Sequence, residues 1–343
     1  QIELLHRLQT EGPMSLQKAF EGRDNRLAMI GLFLAMLELM RNHLVWVEQP
    51  DATGPIYLKP LTSEPAEEAV HNAIYANPEA MEMLHDMADT VRESGADFAL
   101  GFDGDGDRCG VVDDEGEEIF ADKVGVIMAR DLSRIYPNAT FVADVKSTGL
   151  FAADPVLQAN GVTADYWKTG HSHMKRRVKE IGALAGFEKS GHYFLAEPIG
   201  RGYDCGMRVA VEICKLMDRN PDKSMSDLRK ALPKTWSTPT MSPYAADTEK
   251  YDILERLVGK LVGMHEAGKA FAGRTIKDVV TVNGARVILD NGSWGLVRAS
   301  SNTPNLVVVC ESAESEAEMR AIFDALNDVI RTEPDVGEYD QTI

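Results

Sequence analysis

The sequence has little cysteine. Its four cysteines, Cys109, Cys205, Cys214 and Cys310, are scattered, with no CxxC pair among them. That argues against a disulfide framework and fits a reducing, cytoplasmic compartment. Positive charge is also short: 36 lysines and arginines stand against 54 aspartates and glutamates, a net charge of −18. Such an acidic chain is a poor partner for nucleic acid or an anionic membrane, and any phosphate site in it has to be built locally. Long apolar runs are missing as well. The longest, LAMIGLFLAMLELM at 27–40, is too short to cross a bilayer and carries Glu38. It is internal and has no cleavage-site pattern, so it does not read as a signal peptide. What is present is the composition of a soluble globular protein, 44% apolar and 26% charged. Its 343 residues are enough for two or three domains.

The first sixty or so residues differ in pattern from the rest. IELLHRLQTEG reads as a short amphipathic helix and MSLQKAFEGRDNR as a shorter one. RLAMIGLFLAMLELMRN is a third, apolar almost all round and therefore expected to be buried on most sides. HLVWVEQ and PIYLKPL, either side of the turn PDATG, read as a hairpin. Three helices and a two-stranded wing are the order of a winged helix. The third helix carries Arg26 and Arg41 only at its ends, so a DNA-reading role is not favoured over a protein-binding or structural one. From about residue 78, helical and strand patterns alternate with glycine stops, which implies βαβ units and a largely parallel sheet. GLFAADPVLQANG is read as one helix in this stretch. The last block, from about STPTMSPY, has one long helix, several strands and a closing helix, an α+β pattern.

Four clusters carry chemistry. In GFDGDGDRCGVVDDEG, Asp103, Asp105 and Asp107 follow the strand ADFALGF. Three carboxylates this close repel one another unless a cation sits among them. The loop lies at the carboxyl end of a strand, where open α/β sheets place their ligand sites. An EF-hand does not fit: position six is Arg108, position twelve is Asp114, and strands flank the loop. All-oxygen ligands with few other donors suit Mg²⁺.

The second cluster is WKTGHSHMK, where Lys168 ends a strand and His171 opens a helix whose free N–H groups suit an anion. An ordinary capped turn would look the same. In the third, GFEKSGHYF, Glu188, Ser190 and His192 alternate along what reads as an extended run, so that all three face one side. They suit polyol recognition, though a solvent-facing strand edge has the same pattern. In the fourth, VRASSNTPNL, Arg298, Ser300, Ser301, Asn302 and Thr303 form a donor-rich loop apt for a phosphate dianion, or an ordinary polar hairpin.

In this order, the four clusters resemble the α-D-phosphohexomutase family, most closely its phosphomannomutase/phosphoglucomutase branch, over about residues 77–336. GFDGDGDR looks like the family's metal loop, KTGHS its hinge-side loop, GFEKSGH its sugar-hydroxyl loop and RASSNTP its phosphate loop. Two departures stand out: Phe187 precedes the glutamate where glycine is common, and the phosphate loop reads Ser-Ser-Asn-Thr rather than Ser-Asn-Thr.

The resemblance implies a cytoplasmic intramolecular phosphotransferase. It would interconvert hexose 1-phosphate and hexose 6-phosphate, of mannose or glucose, through a bisphosphate and an enzyme phosphoserine. It further implies that Asp103, Asp105 and Asp107 hold Mg²⁺ with Arg108 beside it. Glu188 and Ser190 would hold sugar hydroxyls, with His171 also at the substrate. Arg298, Ser300, Ser301 and Asn302 would grip the non-reacting phosphate, and Lys168 and His192 would transfer protons or touch phosphate. A phosphoglucosamine mutase would share every motif.

The family's Thr-Ala-Ser-His-Asn-like nucleophile loop is not found in this sequence, so the resemblance lacks the family's first domain. Residues 1–60 instead resemble the C-terminal winged helix of segregation and condensation protein A, a kleisin. That resemblance implies a protein partner for the module and an alternative role as an interaction protein of a chromosome-condensing ATPase. The expected organisation is α/β: a winged-helix module at 1–62, a connector at 63–77 and part of a mutase second domain at 78–140. A third domain at 141–235 follows, both with mutase-type mixed sheets, then an α+β fourth domain at 236–336. A tail at 337–343 is expected to fray.

Overall fold

The computed structural model describes residues 2–22, 26–41, 43–51, 54–66, 69–70, 81–301 and 303–341. They divide into two units, residues 1–86 with 102–106, and residues 87–101 with 107–343.

In the first unit, helices α1 (Ile2–Glu11), α2 (Leu16–Phe20) and α3 (Arg26–Arg41) combine with strands β1 (Met14–Ser15), β2 (Val45–Glu48) and β3 (Tyr57–Pro60). The strands form an antiparallel sheet in the order β1-β3-β2. The expected helices and hairpin are there; β1, two residues long, is too short to leave a pattern in the sequence. Leu4, Leu5 and Leu8 of α1 pack with Met36, Leu39, Val45 and Leu58 in a core that extends to Ala66, Ala69 and Val70. The rest of the expected connector, 67–68 and 71–77, lies outside the described residues. Helix α3 is not buried on most sides. Met36 and Leu39 are inside, but Met29, Phe33, Leu34 and Leu37 are exposed, because α1 and a three-stranded sheet are wide enough to cover only one face of it.

The helix α4 (Met81–Ser94), which enters the second unit at Met87, leads to the sheet β4 (Phe98–Phe102), β5 (Cys109–Asp113) and β6 (Glu118–Ile119). Next comes a four-stranded sheet in the order β10-β9-β7-β8, with β7 at Thr140–Asp144, β8 at Thr163–Trp167, β9 at Ala185–Phe187 and β10 at Tyr193–Leu195. The pairs β7/β8 and β7/β9 are parallel and β9/β10 is antiparallel, so the sheet is mixed. Side chains alternate across β7 as a pleated strand requires. Phe141 and Ala143 face the cluster that includes α5 (Ala121–Ile135) and α9 (Gly206–Arg219), while Val142 faces Met174 and Val178 of α8 (His171–Glu180).

The stretch expected as one helix after β7 is two short ones, α6 (Leu150–Ala153) and α7 (Pro155–Ala159). Pro155 disfavours the helical conformation in the residue before it. Asp154 accordingly lies at φ −67°, ψ 126° and caps α7, accepting from the N–H groups of Val156 and Leu157.

The C-terminal domain is a six-stranded antiparallel sheet, β11-β16-β15-β14-β13-β12. Its strands are β11 (Trp236–Ser237), β12 (Ala270–Phe271), β13 (Arg274–Val280), β14 (Ala285–Leu289), β15 (Trp294–Ala299) and β16 (Leu306–Ser312). After a short α10 (Met225–Lys230), the two long helices α11 (Lys250–Glu266) and α12 (Glu316–Ile330) cover one face. Val287, Val297, Val308 and Cys310 point to them, and the residues between, Trp294, Leu296, Val307 and Val309, point the other way to pack on Val145 and Tyr166. Residues 337–341 do not fray. Tyr244 N–H donates to Glu338 O (3.1 Å), Gly337 N–H to Tyr244 O (2.8 Å) and the Gln341 amide to Thr240 O (2.6 Å).

The second face of that sheet carries two buried charges. Arg286 donates from Nη1 to the carbonyls of Val145 (2.8 Å) and Ser147 (2.7 Å) and lies over the rings of Trp294 and Tyr166, 3.7 and 4.1 Å from their centroids. Glu311 accepts from Lys123 Nζ (3.1 Å), Gly149 N–H (2.7 Å), Thr148 Oγ1 (3.0 Å) and Trp294 Nε1 (3.0 Å). Burial works against the Glu311 carboxylate, but Lys123 and these donors outweigh it and hold its pKa at about 2, below the ordinary 4.5. This stabilising contribution is therefore complete above about pH 4.5 and is lost as pH falls through about 2. Replacing Glu311 with Ala strands Lys123 and the donors of Thr148, Gly149, Trp294 and Thr235, and is expected to cost about 3–5 kcal/mol in urea unfolding at pH 7. The gap from the wild type should narrow on titrating toward pH 2; a gap independent of pH would show that the carboxylate charge is not what holds the joint.

Candidate functional site

The aspartate loop begins where β4 ends. Gly106 sits at φ +71°, a conformation that glycine adopts without strain, and its N–H donates to Asp103 O (3.1 Å). This turn brings one carboxylate oxygen each from Asp103, Asp105 and Asp107 within 4.8 Å of one another. The donors are all hard oxygens and only partly buried, which suits a small divalent cation that keeps some water.

Asp107 Oδ2 lies 3.5 Å from His192 Nε2, and the other ring nitrogen, Nδ1, lies 3.3 Å from Glu188 Oε2 and 3.1 Å from Ser190 Oγ. Burial opposes charging of His192. The bond to Glu188 and the charges of Glu188 and Asp107 outweigh it, and the pKa is raised, with Arg108 opposing. Arg108 joins this cluster through its backbone, which pairs with that of His192, and its Nε lies 3.9 Å from Asp107.

Residues 188–192 are not the extended run that their alternation suggests. They are the tight turn between β9 and β10: Glu188 N–H donates to His192 O (3.0 Å) and Gly191 N–H to Glu188 O (3.1 Å), with Gly191 at φ +92°. Glycine makes the reversal possible. The three side chains still meet, because the turn folds them onto one another: Ser190 Oγ is 3.4 Å from Glu188 Oε2.

Lys168 is exposed at the end of β8. His171 opens α8 with its Nδ1 3.8 Å from Asp204 Oδ2, and Lys175, one turn on, lies 2.7 Å from Asp204 Oδ1. Gly170 N–H donates to Glu188 Oε1 (2.5 Å).

Arg298 is buried at the end of β15, with Nη1 donating to Ala299 O (3.0 Å). Burial lowers its proton affinity, against the charges of Asp144 and Glu188. The C-terminal domain thus places a guanidinium within electrostatic reach of these two carboxylates. Ser300 Oγ accepts from Thr303 N–H and Oγ1, Ser301 is exposed, and Asn302 lies outside the described residues.

Two residues at the centre were not singled out in the sequence. Asp144, fully buried at the end of β7, accepts from Ser147 Oγ (2.5 Å), Thr169 Oγ1 (2.8 Å) and Lys189 N–H (3.2 Å), so one carboxylate ties three loops. Lys146, on the same loop, is only 9% exposed. Both stand at the carboxyl end of a parallel strand, the rule that located the other loops, and ADVKSTG could have been found by it.

Family models of phosphoglucomutase/phosphomannomutase match the chain in three blocks: the second domain over residues 47–116, the α/β/α third domain over 120–236 and the C-terminal domain over 249–329. The chain belongs to this family. It is 36% identical over 263 residues to a phosphomannomutase/phosphoglucomutase of Pseudomonas putida, covering 76% of this chain and 53% of that protein. It is 32% identical to a phosphoglucomutase of Neisseria gonorrhoeae, with 76% and 53% covered. A crystal structure of a family protein from Burkholderia thailandensis superposes with a TM-score of 0.66 at 28% identity, over 78% of this chain and 53% of that one. The chain spans about half the length of the curated relatives it matches. Among the described residues, no helix is long and apolar enough to cross a membrane.

Asp144 should matter to this mutase fold beyond its own loop. Asp144→Ala releases Ser147, Thr169 and the 189 amide together and is expected to loosen the loops that they belong to. Hydrogen exchange should rise at 168–170 and 188–191. Unchanged exchange in both loops would mean that Asp144 does not organise them.

Proposed function

We propose that this chain forms the metal, sugar and distal-phosphate subsites of a phosphomannomutase/phosphoglucomutase. The single observation that carries this is the continuous contact from Asp107 through His192 to Glu188, 3.5 and 3.3 Å, which joins a metal loop to a sugar loop. The relatives' names supply the substrate class, hexose phosphates of mannose or glucose. In this reading the segments 78–140, 141–235 and 236–336 are the second, third and fourth domains.

Asp103, Asp105 and Asp107 would hold Mg²⁺, and their all-oxygen donor set fits it. Mg²⁺ supplies charge neutralisation at a transferring phosphoryl group, where positioning and electrostatics do nearly all the work. Arg108 adds a second positive charge beside the loop. Glu188 accepts from sugar hydroxyls and Ser190 bonds them, each held in place by the turn. His171, at the opening of α8, faces the anionic end of the substrate together with the free N–H groups of that helix. Arg298, Ser300, Ser301 and Asn302 grip the phosphate that is not reacting. His192, its proton held by Glu188, gives or takes a proton at the sugar oxygen, and Lys168 draws phosphate to the rim. The compartment is the cytoplasm.

Calorimetry on the 343-residue chain tests the reading. One Mg²⁺ site is expected, lost in Asp105→Asn. Glucose 1-phosphate should bind, and both Arg298→Ala and Glu188→Ala should weaken it by about 1.5–3 kcal/mol. Equal affinity in both variants would remove the substrate assignment. Turnover in a coupled dehydrogenase assay is not expected from this chain alone, because in-line transfer needs a phosphoserine loop that its sequence does not offer. Conversion by the purified chain, with a phosphoserine found by mass spectrometry, would overturn that.

A further inference from the structure

Beside the aspartate loop, the structure holds a second group of metal-ligating atoms with a different chemistry. One atom each from Asp107, His192 and Asp204 lies within 4.8 Å of the others. His171 Nδ1 is 3.8 Å from Asp204 Oδ2, and the His171 and His192 rings are stacked with centroids 6.2 Å apart. We infer that Asp107, His192 and Asp204, with His171 beside Asp204, form a site for a first-row transition cation such as Zn²⁺ that shares only Asp107 with the all-oxygen loop.

Three observations support it. First, the donors are an imidazole nitrogen and two carboxylates, with a second imidazole next to Asp204, a set that favours zinc-class ions over Mg²⁺. Second, Asp204 is buried, its side chain 7% exposed, and its Oδ2 accepts no hydrogen bond among the described residues, while Oδ1 is held by Lys175. A buried carboxylate oxygen with no donor is costly, and a cation among these four residues would supply its partner. Third, His192 is already arranged as a metal-binding histidine is: Nδ1 faces the Glu188 carboxylate and Nε2 faces the cluster. A carboxylate behind the ring fixes the tautomer and strengthens the other nitrogen as a ligand. Bonds of 2.0–2.1 Å in a tetrahedron put ligands about 3.4 Å apart. The 3.5 Å between His192 Nε2 and Asp107 Oδ2 is already that edge, and the 3.8 Å between His171 and Asp204 is close to it. Lys175 and Arg108 nearby reduce the affinity and make the site one that accepts a strongly binding ion rather than any divalent cation. The inference does not depend on the hexose-phosphate reading.

The test titrates Zn²⁺ and, separately, Mg²⁺ into the full chain by calorimetry. One Zn²⁺ site is expected. Asp204→Asn and His192→Ala should each weaken Zn²⁺ by at least about tenfold and leave Mg²⁺ binding in place, while Asp105→Asn should abolish Mg²⁺ binding and keep Zn²⁺. A failure confined to the glucose 1-phosphate titration leaves this result untouched. The wild-type chain gives a readout that no variant's folding can obscure: sub-stoichiometric Co²⁺ should broaden the ring resonances of His171 and His192 before those of the other histidines. No Zn²⁺ binding, unaltered Zn²⁺ affinity in both Asp204→Asn and His192→Ala, loss of both ions together in Asp105→Asn, or a Co²⁺ effect that spares His171 and His192 would each overturn the proposal.

Discussion

Arg286 and Glu311 project from the same face of the C-terminal sheet, and both end on the backbone of residues 145–149, the loop that leaves β7. Neither charge is near water, and each is an expense unless every polar atom around it is placed correctly. Burial lowers the proton affinity of Arg286, opposed by Tyr166 and the carboxylates of Glu311, Asp144 and Asp122. A joint built this way tolerates little sliding, since a displaced carbonyl would leave a guanidinium unpaired in an apolar seam. A purely hydrophobic seam of Val145, Trp294, Leu296 and Val309 would hold the two domains together without fixing one arrangement. The polar pair converts adhesion into register. Arg298 lies on the strand between β14 and β16, so the same register sets its place within electrostatic reach of Asp144 and Glu188.

The same constraint bears on how a chain with a net charge of −18 would present the proposed site for an anion. Several of the acidic groups around the candidate site already have partners. Asp144 is saturated by donors from three loops, Glu188 by Gly170 and His192, and Glu311 by Lys123 and its neighbours. The guanidinium of Arg298 is held in a buried setting where its interactions are screened less than they would be at the surface. Local electrostatics, rather than the sum over the chain, decide what the loops attract.

What could be read from the sequence was local. The aspartate loop, the histidine turn, the sugar turn and the serine-rich hairpin each lie within about ten residues and at a strand end, so a motif and a position rule were enough to find them. What failed had a physical cause in each case. Glu188, Ser190 and His192 alternate as they would in a strand, and only the positive φ of Gly191 reveals the turn. Asp154–Pro155 splits one expected helix because the rule for residues before proline outweighed periodicity. Helix α3 is apolar all round, yet how much of it is covered depends on the size of its neighbours, which no window of sequence contains. Arg286 and Glu311 were not legible at all. Their partners lie some 140 and 160 residues away, and an arginine or glutamate in an alternating strand normally marks the solvent face.

Preorganisation is the last consequence of the joint. The loop carrying Lys146 is held from outside by Arg286, which takes the carbonyls on either side of that lysine, and from inside by Asp144 through Ser147. Asp144 then reaches Thr169 and the 189 amide, so the loops after β7, β8 and β9 share one anchor. Ordering three loops on binding would cost conformational entropy at each immobilised residue. Here that ordering is complete before any ligand arrives, because the donors that would otherwise wander are spent on a single buried carboxylate. The C-terminal domain contributes Arg286 and Glu311 to this lattice.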